Sequence, residues 1–350
     1  MEKLKQKKKK VSYSYEIPYD LLLDIFSRVP AKSIARFSCL SKSWRSKLGL
    51  PYFTELFLTK SLARPRLLFA IKDNEDLFFF SSPQPQNPVD KSSLVATRYR
   101  MNFPKYLPSR VCPPHSGLVF LHSRGRKERV ICNPVTGESI TLPKVYARGV
   151  KRCFLGYDPI NKQFKVLCTT RSRYEGRSET YWVLTLETGK LIWRRTMECI
   201  PHTDGYGEIC INGVLYYKAH IDGSSCVIVC FDFSSEKFSF IKLHGKMLHG
   251  TLINYKEDAG KRKWCKRISV LLSLHDKLGI NLDKVGMTGA GEIVFVPPYR
   301  KPDLFYIVYY NIERKTFARV NIDIHGSEEL KDRTFVVTTF LDYVENMKFL

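Results

Sequence analysis

This sequence predicts two units of unlike class: a small all-α segment near the N-terminus, then a much longer all-β domain. Three observations lead there. Apolar residues recur at helical spacing between residues 17 and 48. From residue 61 onward they gather instead in short runs rich in Val, Ile, Tyr and Phe, and turns of one recurring chemistry separate those runs. At 350 residues and 44% hydrophobic content, the chain can bury a sizeable core and holds one large domain or two. The expected boundaries are a basic disordered tail over 1–12, the helical unit over 13–58 and the β domain over 59–350.

In the helical unit, Pro18 and Asp20 precede apolar residues at Leu22, Ile25, Phe26 and Val29, an i, i+3, i+4, i+7 pattern. Proline fits a first helical turn, and an acidic residue there suits the helix dipole. Pro30 stops this helix. A second pattern runs through Ile34, Phe37 and Leu40, and a third carries Trp44 and Leu48 before Gly49 and Pro51 break it. Three helices in roughly 40 residues make a marginal domain. Yet Leu21, Leu22, Leu23, Ile25, Phe26, Val29, Leu40 and Trp44 offer more apolar surface than such helices can hide among themselves. The surplus packs either on the following domain, as a cap, or on another protein.

The run IPYDLLLDIFSRVPAKSIARFSCLSKSW resembles the F-box signature nearly end to end. The matching positions are Ile17-Pro18, Leu21-Leu22, Ile25-Phe26, Arg28-Val29-Pro30, Lys32-Ser33, Arg36-Phe37, Cys39 and Lys42-Ser43-Trp44. Ser41 stands where the family usually has Cys, and Phe26 where Leu is common. The resemblance implies a three-helix motif that docks on the small Skp-type adaptor of an SCF ubiquitin ligase and, through it, on a cullin scaffold. The adaptor-facing residues it implies are Ile17, Pro18, Leu21, Leu22, Ile25, Phe26, Val29, Pro30, Ile34, Leu40 and Trp44. Trp44 is the type of aromatic that anchors interfaces.

The β runs are RLLFAI (66–71), DLFFF (76–80), GLVFL (117–121), RVIC (129–132), FKVLC (164–168), YWVLTL (181–186), GVLYY (213–217), CVIVCFDF (226–233), EIVFV (292–296), FYIVYYNI (305–312) and FVVTTFL (335–341). Turn units recur between them: NPVTGES (133–139), DPINKQF (158–164), ETGKLIW (187–193), DFSSEKF (232–238), EDAGKRKW (257–264) and NIERKTF (311–317). Asn-Pro and Asp-Pro open turns, and Thr-Gly or Asn-Lys closes them into hairpins. Such repetition suggests repeated sheets, and at roughly 45–50 residues per blade the domain holds about six. The order of strings such as SGLVFL, VICNPVTGESITLP, FLGYDPINKQFKVL, INGVLYY and VGMTGAGEIVF resembles the plant F-box-associated β-propeller domain (type 3). The expected fold is therefore a kelch-like propeller, complete or short of one strand pair. Family members usually carry that pair where Tyr255-Lys256 here runs straight into Glu257-Asp258.

Charge constrains the partners. Lys and Arg outnumber Asp and Glu by 57 to 34, and the net +23 is spread over the body as well as the six lysines of residues 1–10. This favours acidic partners, whether nucleic acid, an anionic membrane or an acidic or phosphorylated protein, and charge alone does not choose among them. With no membrane segment, an acidic or phosphorylated target protein leads. A basic nucleic-acid-binding module is the alternative, beside an F-box protein acting outside a ligase. No reading helix, aromatic RNA-binding signature or zinc spacing supports the nucleic-acid module. The weak candidates for a substrate rim are Arg124, Arg126, Arg129, Arg152, Arg171 and Arg173, whose forks suit carboxylate or phosphate. The ten cysteines are expected to stay reduced, with Cys226 and Cys230 as small buried residues on one strand face. No apolar run is long enough for a membrane span, and no secretory signal opens the chain, so a soluble protein of cytoplasm or nucleus is expected. No phosphate loop, nucleophile elbow or metal-ligand spacing is present, so no cofactor, metal or catalytic residue is implied.

Overall fold

The computed structural model describes residues 17–347 except 74–75, 102–107, 123–127, 146, 148, 172–177, 187–188, 197–198, 222–224, 244–251, 253–282, 298–304 and 326–334. The basic tail and the turn EDAGKRKW fall outside the described residues.

Four helices form where three are expected: α1 (Tyr19–Ser27), α2 (Ala31–Leu40), α3 (Lys42–Leu48) and α4 (Pro51–Leu62). Pro51 is not a breaker here. It occupies the first turn of α4, where its missing N–H would have had no helical partner anyway. Helix α4 supplies Phe53 and Phe57, both fully buried, to a core shared with Leu23, Ala31, Ile34 and Leu48. Ser41, the departure from the F-box pattern, caps α3: its hydroxyl oxygen accepts from the Trp44 N–H at 3.1 Å, a contact worth about 1 kcal/mol.

Among the described residues, twenty strands follow. They are β1 (Arg66–Asp73), β2 (Asp76–Pro83) and β3 (Ser93–Tyr99); then β4 (Arg110–Val111), β5 (Val119–His122), β6 (Arg129–Cys132) and β7 (Ser139–Thr141). Next come β8 (Val150–Asp158), β9 (Gln163–Arg171), β10 (Ser178–Thr185) and β11 (Arg194–Arg195), then β12 (Thr203–Ile211), β13 (Val214–Ile221), β14 (Ser225–Asp232) and β15 (Phe238–Lys242). The last are β16 (Asp283–Met287), β17 (Glu292–Val296), β18 (Tyr306–Asn311), β19 (Thr316–His325) and β20 (Val336–Tyr343).

Each of the eleven apolar runs overlaps a strand. The strands form antiparallel groups of four, β4–β7, β8–β11, β12–β15 and β16–β19, while β20 pairs with β1 and completes a fifth group with β2 and β3. A parallel contact between β19 and β3 joins the fifth group to its neighbour. The edge strands β8, β12, β16 and β20, and the loop after β4, all reach one central cavity of about 430 Å³. The sheets are therefore arrayed around an axis, with the strand nearest the C-terminus closing the ring onto β1.

Apolar clusters fill the spaces between neighbouring sheets. Leu68 and Phe79 meet Val119 and Leu121, Phe120 and Ile131 meet Val166 and Cys168, Leu167 and Val183 meet Tyr217 and Phe231, and Phe69 and Phe80 meet Val294 and Tyr309. At one place the pattern differs. One face of β12–β15 keeps its own cluster (Val214, Tyr216, Ile228, Cys230), and so does one face of β16–β19 (Ile293, Phe295, Val308, Tyr310). Between them in sequence lie residues 244–282, of which only Leu252 is described. Among the described residues five groups of four are therefore seen, where about six are expected; the stretch in which a further one is expected lies outside the described residues.

Two sequence expectations about cysteine part ways. Cys226 and Cys230 are buried small side chains on one strand face, as read. Cys153 and Cys168, expected to be reduced, are joined in a disulfide. They are register partners on β8 and β9 with Cα atoms 4.1 Å apart, a cross-strand proximity that their separation in sequence does not announce.

Close packing between sheets also dictates glycine. A Cβ on Gly156 of β8 would stand 1.9 Å from the Phe233 ring. Gly156→Ala is therefore expected to lower stability by about 1–3 kcal/mol or more through overpacking. Urea unfolding would check this, and Phe233→Leu in the same chain should recover part of the loss.

Candidate functional site

The helical unit carries a one-sided apolar surface. Leu23 and Ser27 turn inward from α1, while Ile17, Leu21 and Ile25, spaced four apart, are 52%, 52% and 49% exposed. Leu40, at the end of α2, is 72% exposed. Pro18 and Pro30 are exposed as well, and Leu22, Phe26, Val29 and Trp44 are half-buried. Behind the exposed row an aromatic cluster sets the surface: Phe26 packs on Phe37 at 4.9 Å and edge-on to Trp44 at 5.1 Å. Ten of the eleven residues named from the sequence thus retain exposure on the helical unit. The eleventh does not. Ile34 is fully buried, because its side of α2 faces Leu23, Phe53 and Phe57 in the helical core. Sequence reasoning also passed over Tyr19, 40% exposed, whose ring lies 5.0 Å from the Lys47 ammonium.

Polar contacts hold this unit on the β domain. The Glu345 carboxylate accepts from the Ala31 N–H at 3.3 Å, at the start of α2, and from the Tyr99 hydroxyl at 2.7 Å. Arg66 lies 3.7 Å from it. Ser81 donates to the Tyr99 oxygen at 2.8 Å and accepts from Arg66 at 3.0 and 3.1 Å. Burial, then the Glu345 charge, raises the Tyr99 phenol well above its usual range. Arg64 donates to the carbonyls of Ser27 (2.8 Å) and Arg28, and Met347 and Val135 pack against the helical core. The exposed row is thereby presented in one orientation relative to the sheets.

The arginines proposed as a rim separate into two groups. Arg124, Arg126 and Arg173 lie outside the described residues, as does the Arg171 side chain. Arg129 and Arg152 are buried, at 4% and 9% exposure, and stand on no rim. Arg129 donates to the Cys153 sulfur at 3.2 Å. Arg152 pairs with Glu208 at 2.6 Å and donates to the Gly205 carbonyl; Arg110 pairs with the same carboxylate. Buried guanidinium groups need such partners, and these two are structural.

The axial cavity holds one constellation that invites a chemical reading, since Cys112 and His115 both line it. A nucleophilic pair needs a thiolate or a basic imidazole near neutral pH. Here burial pushes the Cys112 thiol up to about 12 and the His115 imidazole down to about 4. Both stay neutral, and neither is poised for attack or proton transfer.

Comparison with known proteins matches the F-box domain to residues 15–56 and the F-box associated beta propeller domain to residues 66–256 and 257–344. The two propeller stretches abut at Lys256 and Glu257, where the sequence pattern lacks a strand pair. A relative from Arabidopsis thaliana, itself only provisionally designated an F-box protein, is 47% identical over 388 aligned positions that cover all of both chains. The alignment is longer than this chain, so that relative carries residues with no counterpart here. The Arabidopsis F-box protein DOR is 43% identical over 95% of this chain and 94% of its own. F-box protein At1g53790, from the same plant, is 45% identical over 95% of this chain and 82% of its own. Among solved structures, apo AztD from Citrobacter koseri aligns with 79% of this chain and 98% of its own at 7% identity, with a TM-score of 0.30, too low to carry an argument.

Proposed function

The chain belongs to the F-box proteins that carry an F-box associated beta propeller domain, and on that premise we propose that it is the substrate-recognition subunit of an SCF-type E3 ubiquitin ligase. Its helical unit binds a Skp-type adaptor, which connects it to a cullin scaffold, and its β domain holds the target. The observation that carries this reading is the row Ile17, Leu21 and Ile25, with Leu40 beyond it. It stays half-exposed although the helical unit is already docked on the β domain through Glu345 and Arg64. A cap that served only the body would have buried that row. The protein makes no bond itself. It raises the local concentration of a target near a ubiquitin-charged enzyme, and proximity is its contribution. Cytoplasm or nucleus is the compartment this role requires.

Proximity labelling in cells under proteasome inhibition tests the role. Proteins that accumulate around the wild-type chain but not around an Ile25→Asp variant are the expected result. Identical labelling patterns for the two, with no ubiquitinated species enriched by either, would overturn it.

A further inference from the structure

At the edge where β16–β19 meets the loop after β2, the apolar core between two sheets opens into a polar mouth. Its floor is fixed by register. Glu292 pairs with Asn311 across β17 and β18, and Asn311 pairs with Thr316 on β19; one row deeper, Tyr309 pairs with Ala318. Gln86, Asn87 and Pro88 form the opposite wall of a pocket of about 270 Å³. That is below the roughly 300–1,000 Å³ of sites that enclose whole small molecules, and it suits a single side chain.

Two atoms in this pocket lack the partners that buried polar atoms almost always have. Glu292 is 7% exposed and Tyr309 1%, and among the described residues neither Glu292 Oε2 nor the Tyr309 hydroxyl has a hydrogen-bond partner. The nearby Thr288 hydroxyl accepts from the Glu292 backbone N–H at 3.2 Å. Arg314 and Glu313 line the same pocket, and the Arg314 charge acts on Glu292, but Arg314 is exposed and makes no hydrogen bond to Oε2. Burial raises the Glu292 carboxyl, with Thr288 and Arg314 opposing it, and raises the Tyr309 phenol, to which the Glu292 charge adds. A carboxylate oxygen only accepts, and a phenol oxygen accepts as readily as it donates. The missing occupant is therefore a multiple donor, and next to a carboxylate a cationic one is favoured. Pro88, Ala290 and Ala318 give the walls apolar patches along which a methylene stem can lie while its charged head reaches the acceptors.

We infer that this pocket receives one basic side chain, a lysine ammonium or an arginine guanidinium, of the protein that the β domain captures. The identity of the carrier rests on the receptor reading above; the pocket chemistry does not. On a body as basic as this one, long-range charge draws in acidic partners, and the pocket adds a local demand of the opposite sign.

The test uses the full chain purified with its adaptor. The probes are Nα-acetyl-lysine N-methylamide, its arginine counterpart, the uncharged norleucine counterpart and butylammonium. Calorimetric titration and the tyrosine ring NMR signals, with that of Tyr309 assigned through Tyr309→Phe, are the readouts. Both cationic amino-acid probes should bind and shift the Tyr309 signal, and norleucine should not. Glu292→Gln, nearly isosteric, should weaken binding at least tenfold with the adaptor still bound. Norleucine binding as well as lysine, or Glu292→Gln binding like the wild type, overturns the pocket and leaves the ligase reading intact. Butylammonium, the lysine side chain alone, should bind within a few-fold of the lysine probe, because the pocket takes only the stem and its charged head; no binding of butylammonium overturns the pocket. A chain that binds the cationic probes but no adaptor keeps the pocket and sinks the ligase reading.

Discussion

Ile25→Asp is expected to weaken binding of a Skp-type adaptor by at least about a hundredfold, which corresponds to roughly 2.7 kcal/mol, with no change in thermal unfolding. The magnitude follows from two costs. Ile25 is 49% exposed in the free chain, so about half of its surface is left for an adaptor to cover, which is worth about half of the roughly 1.5–3 kcal/mol of full burial. An aspartate in its place would also have to shed water against an apolar surface. The neutral effect on folding follows from the same exposure, since surface substitutions away from special features usually fall within about 0.5 kcal/mol. Leu21→Asp, one turn earlier and 52% exposed, should behave alike. Two controls separate docking from folding. Trp44→Ala should reduce both, because the indole packs edge-on to Phe26 at 5.1 Å. Ile34→Asp should unfold the helical unit outright, since that residue is fully buried. Affinity measured by calorimetry beside circular dichroism melting checks all four. Wild-type affinity in the Ile25 variant would remove the row from the interface.

What the sequence makes legible depends on how local the governing physics is. The first three helices are announced by proline, glycine and apolar spacing, all within a few residues of one another, whereas the cap that Ser41 supplies to α3 shows only in the structure. Helix α4 is hidden because the same proline that ends a helix also begins one, and residues 51–62 present no clean stripe: Phe53, Thr54, Phe57 and Ser61 all turn inward. The strands with near-continuous burial, such as β6 and β17, read plainly. Strands β8, β12 and β16 are quieter because Gly156, Gly205 with Gly207, and Gly286 interrupt their apolar runs. Of the residues proposed for docking, Leu21 and Ile25 are readable as surplus apolar surface. Ile34 is not separable from them, because periodicity marks an apolar residue without saying which neighbour covers it. Arg129 and Arg152 mislead for the converse reason: a charged residue is assigned to the surface by default, and only the distant Glu208 explains Arg152 in the interior. The orphaned oxygens of Glu292 and Tyr309 are created by register across β17 and β18, and no linear motif records them.

The contact least visible in the sequence is predicted to matter most for stability. Glu345 lies 314 positions from Ala31 and 246 from Tyr99, yet its one carboxylate serves the first turn of α2, the buried phenol and the Arg66 guanidinium at 3.7 Å. Glu345→Ala would leave a helix N–H and a buried hydroxyl without their acceptor, and a largely buried cation with the Ser81 hydroxyl but no counter-charge. Breaking a buried pair in this way costs about 3–5 kcal/mol, which is a large share of the total for an ordinary domain. Glu345→Gln should cost less, near 1–2 kcal/mol, because its carbonyl oxygen still accepts one neutral hydrogen bond. The loss should also have a direction. Helices α1 to α4 hold a small core of six buried apolar residues, too little to stand alone in a unit of this size, whereas the sheets keep their own clusters and the β1–β20 closure. The alanine variant should therefore melt in two steps, the helical signal first, where the wild type melts in one. Adaptor binding should fall in proportion to the helical unit lost, and excess adaptor should restore the single transition by mass action. A wild-type melting curve in Glu345→Ala would mean that Arg64, Met347 and Val135 suffice to hold the two units together, and that the carboxylate is a bystander at the junction.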